Sequence, residues 1–183
     1  RQQKKPKNDP VEYPLNCSLE DLYHGCTKKV KITQTDHTKS PPQETSQIKT
    51  IDIVPGLKEG TKITYSNMGN IYRDKSPGDV IFVVKEKAHD LYTREGSDLF
   101  FISKISLKKL MTTTHIEIMT LDGKKRKIST DISETNKKIC IQGGGMNIRK
   151  GGKVIGKGDM YVTVNVTFPS LSSADKKLIS DII

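Results

Sequence analysis

The sequence predicts a mostly β chain: two small β-rich domains in tandem, carrying short helices, followed by a C-terminal helix. Three observations lead there. Apolar and polar residues alternate through most of the chain, which is the period of a half-buried strand. The plan of the first half recurs in the second. Ser106-Leu107-Lys108-Lys109-Leu110 echoes Ser18-Leu19-Glu20-Asp21-Leu22, and Gly158-Asp159-Met160-Tyr161-Val162 echoes Gly78-Asp79-Val80-Ile81-Phe82. Finally, apolar residues make up only 33% of 183 residues, with no Trp, which favours thin β layers with small cores over one deep core.

The elements follow in order. Residues 1–10 are polar and basic and read as a linker end. Val11, Tyr13, Leu15 and Cys17 alternate as a strand. Ser18 can cap a short helix with Asp21 three positions on, and Gly25 ends that turn. Lys28 to Thr33 alternates again, with Val30 and Ile32 on one face. Residues 36–47 are polar, contain Pro41-Pro42 and read as a loop. Ile51 and Ile53 mark a strand, as do Ile63 and Tyr65. Residues 66–79 form a long loop, and Val80 to Lys85 is a β-rich run. The repeat then runs from about residue 90, with Ile116 and Ile118 in place of Val30 and Ile32. In the tail, Leu178 and Ile182, like Ile179 and Ile183, stand at i, i+4, and Ser172 with Asp175 can cap a helix start. A helix of about twelve residues cannot bury its face alone, so this one docks on its own domain or on a second chain.

Thirty-one basic residues against twenty-one acidic ones give a net charge of +10, which favours acidic partners. The charge is dispersed. Its densest runs are Lys4-Lys5-Pro6-Lys7 and Lys124-Lys125-Arg126-Lys127. A basic β-rich nucleic-acid-binding module is the alternative this leaves. It lacks support from interleaved aromatics, because the ten aromatics (four Phe, six Tyr) form no ribonucleoprotein-type motif. The cysteines are Cys17, Cys26 and Cys140. An odd count without a CxxC pair argues against a disulfide scaffold and a zinc site, and fits a reducing, cytoplasmic setting. No 18-residue apolar run and no signal-peptide core are present, so no membrane partner is expected.

Catalytic patterns are missing. His24, His37, His89 and His115 pair at no metal-ligand spacing, and there is no GxSxG elbow. Gly151-Gly152-Lys153-Val154-Ile155-Gly156-Lys157-Gly158 matches the spacing of a phosphate-cradling loop. However, Gly158 replaces the magnesium-binding hydroxyl, and a strand follows where a helix is required. It reads as a hairpin loop. No enzyme activity, metal or cofactor is expected.

What remains is apolar strand surface. Tyr13 and Leu15 share one strand face, Val30 and Ile32 another, and Phe82 lies on the closing strand. Such residues form either a core, the commoner outcome, or a shallow groove. Lys28 falls on the face of Val30 and Ile32 by the period-two rule, which points to partial solvent access. An apolar groove edged by Lys suits an extended peptide with an acidic end.

Six segments, in order, carry a resemblance. They are Ser18 to Ile32 (SLEDLYHGCTKKVKI), Pro55 to Ile63 (PGLKEGTKI), Gly78 to Val83 (GDVIFV), Arg94 to Leu99 (REGSDL), Thr120 to Lys124 (TLDGK), and Gly143 to Met146 (GGGM) followed by Lys157-Gly158-Asp159. Over residues 11–170 the sequence resembles the C-terminal region of the DnaJ, or 40-kilodalton heat-shock, co-chaperones. The resemblance implies two β-sandwich-like client-binding domains, at 11–89 and 90–170, and a dimerisation helix at 171–183. There are no CxxCxGxG repeats, so the second class, without the zinc finger, is implied. No His-Pro-Asp motif occurs, so the J-domain is expected to be absent from this fragment. The family's groove takes unfolded client polypeptide and the acidic Glu-Glu-Val-Asp tail of 70-kilodalton heat-shock chaperones. Tyr13, Leu15, Val30, Ile32 and Phe82 match groove positions. Lys28 matches a lysine associated with the acidic tail, with Lys31 nearby. Homodimer contacts are implied for Leu171, Leu178, Ile179, Ile182 and Ile183. The sequence departs from the family pattern in three places. Val30 stands where a larger aromatic is common. Thr112-Thr113-Thr114 replaces a segment with a small residue and a glycine. Asn147 replaces a common proline.

Overall fold

A computed structural model describes residues 5–129 and 138–181. Among the described residues are thirteen strands and three short helices, and the chain falls into two compact units, Arg1–Asp90 with Asn147–Gly156, and Leu91–Met146 with Lys157–Ile183. Residues 147–156, expected within the second domain, therefore group with the first unit.

In the first unit, β1 (Val11–Cys17) leads into α1 (Leu19–His24). The Ser18 side chain accepts from Asp21 N–H and the Asp21 carboxylate accepts from Ser18 N–H, which is the capping box the sequence predicts. The helix ends at Gly25, φ 79°, where a Cβ would sit 2.8 Å from the Ile53 carbonyl oxygen. β2 (Cys26–Asp36) and β3 (Gln43–Ile53) form a two-stranded antiparallel ribbon. The expected loop at 36–47 is thus shorter: strand pairing persists from Asp36 opposite Gln43. The far end of this ribbon is solvated, so its polar residues do not oppose pairing, and Thr33 and Ser46 hydrogen-bond across it. β4 (Lys62–Tyr65) and β5 (Val80–Glu86) complete a sheet of order β1-β5-β4, with β1 parallel to β5. Leu15, Cys17, Leu19, Leu22, Ile32, Ile51, Ile53, Val80, Phe82 and Val84 make its core. Residues 5–9, expected as a linker end, are tied to the 73–79 loop: Lys7 Nζ lies 2.6 Å from Asp79 Oδ1, and Asn8 N–H donates to the Ser76 carbonyl.

The second unit repeats the plan. β6 (Tyr92–Glu95) precedes β7 (Asp98–Ser106), and α2 (Leu107–Thr112) follows. β8 (His115–Met119) and β9 (Lys125–Ser129) make the ribbon. β10 (Lys138–Ile141) and the later β13 (Met160–Thr167) join the sheet, of order β10-β13-β7-β6. β13 runs parallel to β7 as β5 does to β1. The repeat read from sequence is therefore a repeat of topology. At the exit of α2, two of the three threonines cap the helix with their side chains. Thr112 Oγ1 donates to the Lys108 carbonyl and Thr113 Oγ1 to the Lys109 carbonyl.

Between β10 and β13, β11 (Asn147–Lys150) and β12 (Lys153–Lys157) form a hairpin. Its two central glycines, Gly151 and Gly152, have φ 57° and 81°, the backbone of a two-residue primed turn. The phosphate-loop look-alike is thus a turn and a strand. α3 (Ser173–Ser180) is capped by Ser172 and Asp175, as expected. Leu171 precedes the helix, and Ile182 and Ile183 lie outside the described residues.

Candidate peptide-binding site

Alternation along β2 sorts its side chains. In the ribbon Lys28 is opposite Ile51, Val30 opposite Lys49 and Ile32 opposite Gln47. Ile32 and Ile51 are buried, so this face turns inward, and Val30 is half-buried on it. Lys31 is opposite Ile48, and both are exposed. Lys31 is thus separated from Lys28, Val30 and Ile32 by the period of the strand.

Lys28 lies within the apolar face because it has a partner. Its Nζ is 2.7 Å from Asp21 Oδ2, with the two side chains 26% and 29% exposed. The hydrogen bond from Lys28 holds the Asp21 carboxyl below its ordinary value, and the same bond raises the Lys28 ammonium above its own. Asp21 therefore caps α1 and neutralises Lys28 at once. Sequence reasoning assigned Asp21 only the first role. The signal for the second was present, since Asp21 and Lys28 flank one short helix and its exit turn.

Leu15 and Phe82 are core residues, 6% exposed each. Tyr13 is not. It pairs in register with Phe82, the ring centroids 5.8 Å apart, yet remains 47% exposed. Tyr65 meets the same Phe82 ring edge-on at 6.0 Å and donates its hydroxyl to the Thr50 carbonyl. Three aromatics thus step from the core to the surface, with Tyr13 outermost on an edge strand. The predicted residues divide into buried supports (Leu15, Ile32, Phe82), half-buried or exposed surface (Tyr13, Lys28, Val30) and one opposite-face cation (Lys31).

Among the described residues β2 has only β3 as a ladder partner. On its other side, a bridge of Asp36 with Ile71 and hydrogen bonds between Ile71 and Thr35 and from His37 to Ile71 close its last residues. The edge from Lys28 to Thr33 has no such neighbour among the described residues. Unpaired backbone donors and acceptors on a strand edge are a template for another strand.

A family model described as the DnaJ C terminal domain matches residues 11–169. The chain belongs to the DnaJ C-terminal-domain family. It is 37% identical to human DnaJ homolog subfamily B member 13 over 175 residues, covering 93% of this chain and 55% of that protein. It is 32% identical to Drosophila melanogaster DnaJ protein homolog 1 over 168 residues, 91% of this chain and 50% of that one. Chaperone protein DnaJ of Chlorobaculum tepidum matches at 34% over 134 residues, 72% of this chain and 32% of that one. The chain spans about half the length of the subfamily B and insect relatives. As in the class of DnaJ proteins without a zinc finger, β2 turns directly into β3 through residues 37–42.

Asn147, read from the sequence as a departure from the family pattern, has a use for its side chain. Its Nδ2 donates to the Tyr23 carbonyl at 2.7 Å, taking up an acceptor in the last turn of α1. Gly56 lies under the same residue: a Cβ there would stand 2.6 Å from the Asn147 carbonyl oxygen, and its φ of 81° also requires glycine. Among the described residues no group of three His, Cys, Asp or Glu could hold a metal, and no helix is long and apolar enough to cross a membrane. Burial pushes the Cys17 and Cys26 thiols up, away from nucleophilic thiolates.

Proposed function

We propose that this chain is the client-binding part of a co-chaperone. An extended segment of unfolded polypeptide adds as a strand to the open edge of β2. Its alternate side chains meet Val30 and the Tyr13–Phe82 aromatic step. The observation that carries this reading is the unpaired β2 edge beside a partly exposed apolar face. Backbone pairing supplies sequence-tolerant affinity there, and side-chain contacts supply the preference for apolar segments. Affinity is modest, because a flexible peptide loses conformational freedom on a shallow surface. No catalytic step, metal or cofactor takes part.

The same surface receives the acidic C-terminal tail of a 70-kilodalton heat-shock chaperone, and clients pass to that chaperone. Lys28 supports this role. Its ammonium already holds one carboxylate, Asp21, at the margin of the apolar face, so an incoming carboxylate exchanges for or shares that partner. The molecule works as a homodimer in the cytoplasm. α3 has no buried residue within the chain, and Leu171, Leu178 and Ile179 present 37%, 63% and 39% of their surface to solvent. This favours a second chain over its own domain as the helix's dock.

Suppression of aggregation of a chemically denatured client tests the reading. The protein is expected to suppress it, and Tyr13→Ala to lose most of that effect. Equal suppression by wild type and Tyr13→Ala would count against the groove. Binding of single-stranded oligonucleotide tighter than any peptide would favour the basic nucleic-acid module instead.

A further inference from the structure

The β11–β12 turn and the 55–61 loop, both in the first unit, enclose an open cleft of about 300 Å³. One wall carries Lys58 and Thr61, the other Arg149 and Lys150, and Gly56, Gly151 and Gly152 complete the lining. None of the three cations has a carboxylate within ion-pair distance among the described residues. The nearest acid in sequence, Glu59, faces Lys85 at 3.8 Å. This contrasts with Lys28, whose charge Asp21 already meets. The walls are held in place. Thr61 Oγ1 donates to the Lys58 carbonyl at 2.6 Å, Gly56 N–H donates to the Leu22 carbonyl, and the glycine turn sets the direction of the hairpin. The charges stand on both sides of a trough open to solvent. Cations on two walls of a cleft suit anionic groups strung along a chain better than one compact anion, which a fan of backbone N–H groups would cradle.

We propose that this cleft is a second binding site, separate from the Lys28 surface, for an acidic peptide segment with neighbouring carboxylates. Arg149 takes a carboxylate through its planar fork, while Lys58 and Lys150 meet others as point charges. The site goes beyond the groove reading and does not depend on it.

The probe is a fluorescein-labelled peptide of Gly, Ser, Glu and Asp only, with no apolar residue to occupy the groove. Fluorescence anisotropy at low salt is expected to show Arg149→Gln/Lys150→Gln binding about tenfold weaker than wild type, and Lys58→Gln weaker in the same direction. Lys104→Gln, at an exposed position of β7, is expected to stay within about twofold of wild type. In 15N NMR titration the Gly151 and Gly152 amides are expected to shift. Unchanged affinity of the double variant, or unmoved glycine amides, would overturn the site. So would full displacement of the peptide by an equal concentration of inorganic phosphate, which would mark a simple anion site. Aggregation suppression by the Arg149→Gln/Lys150→Gln variant reports on the groove separately. Its retention beside lost peptide binding supports two sites, and its loss together with peptide binding overturns their separation. Thermal melts matching wild type establish that the variants are folded.

Discussion

Lys28 Nζ stands 2.7 Å from Asp21 Oδ2, and the same Asp21 carboxylate closes the capping box of α1. One carboxylate therefore starts a helix and positions the cation at the margin of the candidate groove. Three charged or polar groups are committed to each other, so a change at Asp21 reaches both stability and binding.

Asp21→Asn is expected to destabilise the protein by about 1–2 kcal/mol, combining a weakened cap with a partly screened ion pair. The pH dependence follows from the shifts. The Asp21 carboxyl is depressed from 3.8, so its contribution is present above that value and fades as pH falls through its lower folded value. Lys28 is raised from 10.5, so its contribution is present below that value and fades as pH rises through its higher folded value. Urea midpoints between about pH 2 and pH 7 should fall less steeply toward acid in Asp21→Asn than in wild type. Parallel acid limbs would contradict this.

Lys28→Ala should weaken binding of an acidic tail peptide ending in Glu-Glu-Val-Asp, with the loss largest at low salt where screening is least. Anisotropy at low and high salt checks it. No change at low salt would remove Lys28 from that contact.

Tyr13 and Phe82 touch, yet they should separate in experiment. Phe82→Ala empties a buried site and is expected to cost about 3 kcal/mol. Tyr13→Ala removes a half-exposed ring and should cost about 1 kcal/mol or less while lowering client binding. Denaturant melts beside the aggregation assay measure both. A Tyr13→Ala protein as unstable as Phe82→Ala would make Tyr13 a core residue.

Asn147→Ala leaves the Tyr23 carbonyl without its side-chain donor and should cost about 1 kcal/mol. The urea midpoint at constant m-value reports it. An unchanged midpoint would mean that water replaces the amide at no cost.

Deletion of residues 171–183 should give a monomer by light scattering, since the apolar side chains of the tail described here are solvent-exposed within one chain. A persistent dimer would place the interface elsewhere.

The sequence by itself determined the β class, the duplicated plan, the caps of α1 and α3 and the family. All of these follow from local periodicity, from cap residues or from motifs in order, and none needs a distant partner. Lys31, grouped with Val30 and Ile32 by the family resemblance, lies on the opposite face of β2. Only the tertiary structure decided which apolar residues are supports and which are surface. Leu15 and Tyr13 share a face of β1, yet one is buried and the other stays in solvent. It also decided that Lys28 is neutralised by Asp21, and that the hairpin at 147–156 groups with the first unit. It placed Lys58 beside Arg149 and Lys150, residues far apart in the chain. The physical reason is the same in each case. Burial and ion pairing depend on which strand edges and loops meet in space, and the period of a strand carries no record of its neighbours.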